Sequence, residues 1–106
     1  MNTGEFNQKV EDMFSRIEDA LDDCDADLDW DMVGGVLTIE CENGSQVILN
    51  RQEPTRQIWL AARSGGYHFD YQSDDDCWKQ DELDLLTLLN QALSEQSGEN
   101  VRLDLS

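Results

Sequence analysis

Apolar residues recur at three- and four-residue steps in the first part of the chain. The stripe that they form consists of Phe6, Val10, Met13, Phe14, Ile17 and Leu21. Such spacing is typical of an amphipathic helix. Asn2 followed three residues later by Glu5 resembles a capping box, so we predict a helix from about Thr3 to about Asp23. From Asp25 the period changes to two, and this alternation predicts a half-buried strand over Leu28 to Val33.

Short alternating runs separated by turn residues fill the middle of the chain. Asn43-Gly44 is a strong hairpin signal, because a type I′ turn needs positive φ at both central positions. Gly34-Gly35 predicts another tight turn, and the only proline, Pro54, lies in a predicted loop over residues 51–56. The remaining predicted strands are Val36 to Glu42, Gln46 to Asn50, Gln57 to Arg63, Tyr67 to Tyr71 and a short one over Cys77 to Lys79.

A second amphipathic stripe predicts a C-terminal helix. Asp81 is a good N-cap and Gly98 a good terminator. The predicted buried stripe is Leu85, Leu86, Leu89, Ala92 and Leu93, followed by an alternating tail of Val101, Leu103 and Leu105 that covers the core. Both helices must bury their stripes, so we predict one α+β domain over residues 1–106. It is a two-layer sandwich with two helices packed on one face of an antiparallel sheet of about six strands.

Acidic residues are concentrated between Glu11 and Asp31. The chain has a formal net charge of −17, which disfavours nucleic acid and anionic membranes as partners and favours cations and basic protein surfaces. This stretch contains Arg16 as its only base. Its ten acids are Glu11, Asp12, Glu18, Asp19, Asp22, Asp23, Asp25, Asp27, Asp29 and Asp31. We predict that the acidic faces of the first helix and first strand meet in one functional ridge.

The spacing of these aspartates does not match a calcium-binding EF-hand loop. Such a loop needs glycine at its sixth position and a bidentate glutamate at its twelfth. Counting from Asp25 gives Trp30 and Val36, and counts from Asp23 or Asp27 also fail. We therefore expect an open surface that binds hard or borderline cations such as Fe²⁺, Fe³⁺, Mn²⁺, Ca²⁺ or Mg²⁺ weakly and at several points.

The sequence contains few residues of the types and spacings that catalytic sites use. His68 is the only histidine, which excludes triads and multi-histidine metal sites. The three cysteines are odd in number and widely spaced, so we expect neither a disulfide framework nor a thiolate metal site. We predict that the protein is not an enzyme. Because no apolar signal region follows Met1 and no run is long enough to span a membrane, we expect a cytoplasmic location.

Trp59 is the other informative residue. Ile58, Leu60 and Ala62 alternate with it, so the pattern places Trp59 on the polar face of the sheet. Partial cover by long neighbours is the structural interpretation. The functional interpretation is an interface hot spot, with hydrogen bonds supplied by its neighbours in sequence, Asn50, Arg51, Gln52 and Gln57.

Three segments together resemble the frataxin family, in particular its bacterial CyaY type. They are Asn50-Arg51-Gln52-Glu53-Pro54, Gln57-Ile58-Trp59-Leu60-Ala61 and Gly65-Gly66-Tyr67-His68-Phe69-Asp70. The acidic run over residues 18–31 and the Asn43-Gly44 hairpin are similar to the family's ridge and hairpin, and the resemblance extends over essentially the whole chain.

The resemblance implies an iron-binding regulator of iron–sulfur cluster assembly that is monomeric without excess iron. It implies that Fe²⁺ and Fe³⁺ bind weakly to Glu18, Asp19, Asp22, Asp23, Asp25, Asp27, Asp29 and Asp31. It also implies that Glu18, Asp22 and Asp23 dock on a basic surface of the cysteine desulfurase, while Trp59, Asn50 and Gln52 contact the assembly machinery, including its scaffold protein. Two alternatives remain open at this point: an oligomeric iron-storage ferroxidase, and an acidic inhibitor that mimics a polyanion.

Overall fold

The first helix has the bounds that its apolar stripe predicts. The computed structural model describes residues 2–24 and 27–103, and α1 spans Thr3–Asp23. The Asn2 side chain accepts a hydrogen bond of 2.8 Å from the Glu5 backbone N–H, which satisfies one of the unpaired donors at the helix start. The buried residues of α1 are Phe6, Val10, Phe14, Ile17, Ala20 and Leu21, while Met13 is half-buried.

The sheet has seven antiparallel strands in sequential order, one more than the predicted number of about six. Their bounds are β1 Leu28–Val33, β2 Val36–Cys41, β3 Gln46–Gln52, β4 Gln57–Ala62, β5 Gly65–Gln72, β6 Cys77–Gln80 and β7 Leu83–Asp84. The predicted two-layer α+β sandwich is confirmed, because α1 and the second helix bury their apolar stripes against the inner face of this sheet. No helix in the described part of the chain is long and apolar enough to cross a membrane.

The predicted tight turn at Gly34-Gly35 is confirmed, whereas the turn at Asn43-Gly44 differs in type from the one that its sequence predicts. Gly34 and Gly35 both have positive φ, 55° and 83°, and they form a two-residue loop between the paired residues Val33 and Val36. Of Asn43 and Gly44, only Gly44 has positive φ, at 87°. The predicted type I′ turn at Asn43-Gly44 is therefore wrong, and a longer turn that ends in left-handed Gly44 replaces it.

Side-chain hydrogen bonds explain the conformation of the second turn. The Asn43 Oδ1 atom accepts hydrogen bonds from the Ser45 backbone N–H at 3.0 Å and from the Ser45 hydroxyl at 2.8 Å. Its amide nitrogen donates to the backbone carbonyl of Gln96 at 2.6 Å. A local side-chain hydrogen bond of this kind competes with the standard hairpin geometry.

The second helix, α2, spans Leu85–Ser97 and begins three residues later than the sequence predicts. Asp81 is not its N-cap, because it has positive φ (55°) in the turn between β6 and β7. Asp84 caps the helix instead and accepts a hydrogen bond from the Thr87 N–H at 3.2 Å. In the buried stripe Leu88 takes the place predicted for Leu86, which is half-buried. Gly98, with φ of 75°, ends the helix as predicted.

The C-terminal tail covers the core as predicted, in extended form and without joining the sheet. Val101 and Leu103 are buried. Ser94 Oγ accepts from the Val101 N–H and donates to its carbonyl, while the Asn90 side chain makes the same pair of bonds with the Leu103 backbone. Leu105 lies outside the described residues.

Gln96 is the one buried polar residue among the described positions, and it joins three elements. Its amide nitrogen donates to the Gln46 carbonyl at 3.1 Å, and its Oε1 atom accepts from the Arg63 N–H at 2.8 Å. We expect Gln96→Met, which keeps the volume but removes both bonds, to lower the free energy of unfolding by about 2 kcal/mol. Urea denaturation measures this change. A loss no larger than that of the exposed Gln91→Met control would contradict it.

Candidate functional site

The helical part of the acidic ridge occupies the last two turns of α1. We use "acidic ridge" for the eight predicted carboxylates Glu18, Asp19, Asp22, Asp23, Asp25, Asp27, Asp29 and Asp31. Ile17, Ala20 and Leu21 take the inward positions of these turns, so Asp19, Asp22 and Asp23 are exposed and Glu18 is half-buried. The last turn contains no basic residue, although the negative end of the helix dipole lies there. The negative potentials of the helix end and the carboxylates therefore add.

The strand part of the ridge follows the alternation of β1. Asp29 and Asp31 are exposed, while Leu28, Trp30 and Met32 are half-buried against the core. Asp27 is exposed just before the strand, and Asp25 lies outside the described residues. Because β1 pairs only with β2 in the described sheet, its aspartates lie along a free edge. Charged side chains are a common way to keep such an edge from pairing with other chains.

Two glutamates that the sequence analysis did not include extend the ridge onto β2. Glu40 lies directly opposite Asp29 in the β1–β2 register, and Glu42 follows just after β2. Together with Asp27 they line an open hollow of about 440 Å³. The two-residue Gly34-Gly35 loop fixes this register, so the Asp29–Glu40 pairing could have been found from the sequence. Like charges directly opposite each other destabilise a sheet, which is a second local cost of the ridge.

The donor atoms of the ridge suit a hard or borderline cation. They are carboxylate oxygens, without imidazole or thiolate, and this set matches iron, manganese, calcium or magnesium. Within residues 2–24 and 27–103, no three acidic, histidine or cysteine side chains are grouped closely enough to hold one metal ion.

Trp59 lies on the outer face of the sheet, away from the helices. We define the tryptophan patch as Asn50, Gln52, Gln57, Trp59 and His68. The register places Asn50 and His68 on either side of Trp59, and Gln52 opposite Gln57 in the next row. The indole N–H donates to Gln57 Oε1 at 2.8 Å. Trp59 is half-buried, so neighbours cover part of its ring and the rest faces solvent. The prediction that Arg51 adds a hydrogen bond to this patch is wrong, because Arg51 donates to Asn7 Oδ1 of α1 at 3.1 Å.

The strand part of the ridge and the tryptophan patch share the outer face of the sheet. Asp31 pairs with Thr38, Thr38 with Ile48 and Ile48 with Ala61, so Asp31 is three strands away from β4, which carries Trp59. Because neighbouring strands are about 4.8 Å apart, β1 and β4 are separated by about 14 Å. A single protein partner can cover that distance, since an ordinary interface buries about 800 Å² on each side.

A separate polar cluster joins α1 to the turn between β5 and β6. The Tyr71 hydroxyl donates a hydrogen bond to Asp76, and Lys9 Nζ lies 3.7 Å from the same carboxylate oxygen and 5.1 Å from the Tyr71 ring centre. The Tyr71 hydrogen bond, aided by the charge of Lys9, holds the pKa of Asp76 below its usual 3.8. The same hydrogen bond raises the pKa of Tyr71, and contact with Tyr71 raises the pKa of Lys9.

This cluster predicts a specific loss of stability in acid. Because the pKa of Asp76 is lower in the folded than in the unfolded state, its contribution is complete above the unfolded value of 3.8 and is lost as the pH falls through the folded value. We expect the stability difference between the wild type and Tyr71→Phe to be constant near neutral pH and to shrink in acid below 3.8. Urea denaturation of both proteins over this range measures it. A difference that grows in acid would contradict the assignment.

Comparison with known proteins supplies the family. The model of the frataxin-like domain matches residues 1–99. This chain belongs to the frataxin family. Among its frataxin relatives, an iron-sulfur cluster assembly protein CyaY from Pseudomonas aeruginosa is 50% identical over 103 residues, which cover 95% of each chain. A protein of the same name from Vibrio cholerae is 48% identical over 103 residues, which cover 95% of this chain and 97% of that protein.

Solved frataxin structures agree with the architecture. The frataxin from Psychromonas ingrahamii superposes with a TM-score of 0.88 at 37% identity, covering 100% of this chain and 99% of that one. Yeast frataxin superposes with a TM-score of 0.69 at 23% identity, covering 87% and 80%. At that identity the yeast protein supports the fold alone. The predicted frataxin resemblance and the predicted fold class are both confirmed.

Proposed function

We propose that this protein acts in iron–sulfur cluster assembly as a non-catalytic, iron-binding regulator. In this proposal the acidic ridge binds Fe²⁺ and Fe³⁺ weakly and docks on a basic surface of the cysteine desulfurase in the cytoplasm. The tryptophan patch contacts the desulfurase–scaffold complex. Membership of the frataxin family and the names of its CyaY relatives, which are iron-sulfur cluster assembly proteins, support the assembly role.

The main support for this proposal is that exposed carboxylates are concentrated along the end of α1 and the free edge of β1, where their repulsion lowers the stability of the fold. Asp22 and Asp23 are exposed at the negative end of a helix dipole, and Asp29 directly opposes Glu40. A positive ligand relieves both repulsions. Exposed oxygen donors at several points favour weak binding of more than one ion, since little ordering or desolvation accompanies each contact.

Electrostatics and the tryptophan patch have different roles in docking. A strongly acidic surface accelerates encounter with a basic partner and fixes its orientation, and this effect weakens with salt. A half-buried tryptophan held by one hydrogen bond supplies a large, rigid contact area. We therefore propose that the ridge guides the desulfurase onto the protein and that the tryptophan patch makes the short-range contacts.

Removal of the Trp59 side chain tests whether the tryptophan patch makes the short-range contacts. We expect Trp59→Ala to weaken binding to the desulfurase–scaffold complex by about 30-fold, mainly through faster dissociation. Surface plasmon resonance with the complex from the same organism measures both rates. Gln72→Ala, an exposed position on the outer face of β5, is the matched control. Equal affinities for the two variants would remove Trp59 from the interface.

The role of iron is tested by three measurements on one preparation. At one Fe²⁺ per chain, the proposal predicts neither faster Fe²⁺ oxidation than in buffer nor a change in oligomeric state. It also predicts that iron alters the affinity for the desulfurase, because ion and partner share carboxylates. Catalysed oxidation with assembly would favour a ferroxidase. Partner affinity that is identical with and without a chelator would favour a simple polyanion mimic.

A further inference from the structure

The only histidine of the chain is stacked on the tryptophan of the patch. The Trp59 and His68 rings lie with their centres 4.2 Å apart and their planes 14° from parallel. The two residues are directly paired in the β4–β5 register, so the backbone holds both side chains on the outer face. His68 is exposed, whereas Trp59 is half-buried. One face of the indole is therefore covered by a ring that remains open to solvent.

Hydrogen bonds hold the stack on both sides. Gln57 Oε1 accepts the indole N–H at 2.8 Å, which fixes the orientation of the Trp59 ring. The His68 backbone N–H donates to Gln80 Oε1 at 2.7 Å, which ties β5 to β6 at this point. The stacked rings line a shallow hollow of about 200 Å³ whose walls are mostly apolar, including Ile48 and Ala61.

His68 lies on a part of the sheet that has few other charges. The outward positions of β3 and β4 are Gln46, Ile48, Asn50, Gln52, Gln57, Trp59 and Ala61, and none of them ionises. On β5 and β6 the next outward row pairs Asp70 with Lys79, of opposite charge, and Asp81 follows in the turn after β6. Tyr67 is the other titratable residue that lines the hollow. His68 is thus the one imidazole on a part of this face that has few other charges.

We propose that His68 positions Trp59 for docking and makes the docking pH-dependent, with protonation of His68 weakening the contact. The inference rests on the proposed function of the tryptophan patch. Histidine is the side chain whose charge changes between pH 5 and 8. An imidazolium is attracted to the face of an indole, so protonation keeps the stack closed. It also places a positive charge beside an apolar hollow that a basic partner must cover, which adds repulsion and desolvation cost.

The first experiment uses the free protein. Because the chain has one histidine, its imidazole C–H signals are unambiguous in a proton NMR spectrum. We expect the indole N–H resonance of Trp59 to shift with pH at the same midpoint as these signals. In Trp59→Leu the His68 signals should move downfield, since the ring current of the indole is lost. A Trp59 indole N–H resonance that does not shift together with the His68 signals would overturn the proposal.

The second experiment measures affinity for the desulfurase–scaffold complex at about pH 7.5 and about pH 5.5. We expect the wild type to lose about fivefold more affinity on acidification than His68→Phe, which keeps a stacked ring without the charge. A matched control, His68→Phe/Gln72→His, restores a histidine on the outer face of the same strand away from Trp59. This variant should retain the reduced pH dependence of His68→Phe.

The outcomes separate this inference from the function on which it rests. Binding by the wild type with the same pH profile as His68→Phe would overturn the role of His68 and leave the proposed function intact. Recovery of the full pH dependence in His68→Phe/Gln72→His would also overturn it, because the stack would not be required. Absence of binding by the wild type at both pH values would overturn the proposed function and this inference together.

Discussion

The Asp22→Lys/Asp23→Lys variant is expected to bind the cysteine desulfurase about 100-fold more weakly than the wild type, while unfolding at a higher temperature. Both carboxylates are exposed, and no base lies in the same helical turn. Reversing them removes attraction to a basic surface and introduces repulsion. The same change places cations at the negative end of the α1 dipole, which stabilises the helix. Affinity and stability should therefore change in opposite directions.

Opposite changes in affinity and stability distinguish a binding surface from acidic residues that serve only to keep the protein solvated. The matched control is Asp74→Lys/Glu82→Lys, which makes the same change of net charge in the turns flanking β6. Calorimetric titration with the desulfurase and with Fe²⁺, together with thermal unfolding, compares the two proteins. Equal loss of affinity in both variants would mean that only the net charge matters and that the ridge has no special role.

Phe6→Ala is expected to lower the free energy of unfolding by about 3–5 kcal/mol. Phe6 is fully buried, and its ring meets Trp78 edge to face with centres 6.0 Å apart and planes at 74°. The substitution removes this contact and leaves a cavity between α1 and the sheet. Because domains of this size are stable by about 5–15 kcal/mol, the loss is a large share of the total.

Urea denaturation measures the loss, and Phe6→Leu serves as the control. Leucine keeps most of the buried volume but loses the aromatic contact, so we expect it to be clearly less destabilising than alanine. A cost of less than about 1 kcal/mol for Phe6→Ala would contradict the packing described for this core.

The predicted elements held where the pattern was long and strongly periodic. Six apolar positions specify α1, and the cap at Asn2 fixes its start, so its bounds match the prediction. The alternation after Asp27 specifies which side of β1 faces the core, and the exposed aspartates follow from it. Both predictions rest on local rules that tertiary contacts did not override.

The predictions failed where a distant contact decided the local geometry. Asn43-Gly44 does not form the predicted turn, because the Asn43 side chain bonds to Ser45 and to the backbone of Gln96, 53 positions away. Asp81 is a residue type that often caps helices, but it lies in the turn between β6 and β7, and β7 pairs Leu83 and Asp84 with β6 before the helix begins. No single-sequence pattern signals either event.

The candidate site was predictable in part. The aspartates of the ridge stand out by density, and Glu40 could have been added by extending the β1–β2 register from the glycine turn. The Trp59–His68 stack needs the β4–β5 register, which the residues between them leave ambiguous. The contact of Lys9 with Tyr71 and Asp76 joins residues over 60 positions apart, and each looks like an ordinary surface residue in the sequence.

Backbone amide chemical shifts, mapped during titration first with diamagnetic Mg²⁺ and then with Fe²⁺, test directly whether the acidic ridge binds cations. We expect small, progressive shifts over residues 18–31 with Mg²⁺, extending to Glu40 and Glu42. Signal broadening by Fe²⁺ should affect the same set, while amides around Lys9 and on β6 stay unchanged. Broadening that is spread evenly over all exposed acids, or centred away from the ridge, would contradict the claim that the concentrated charge is a binding site.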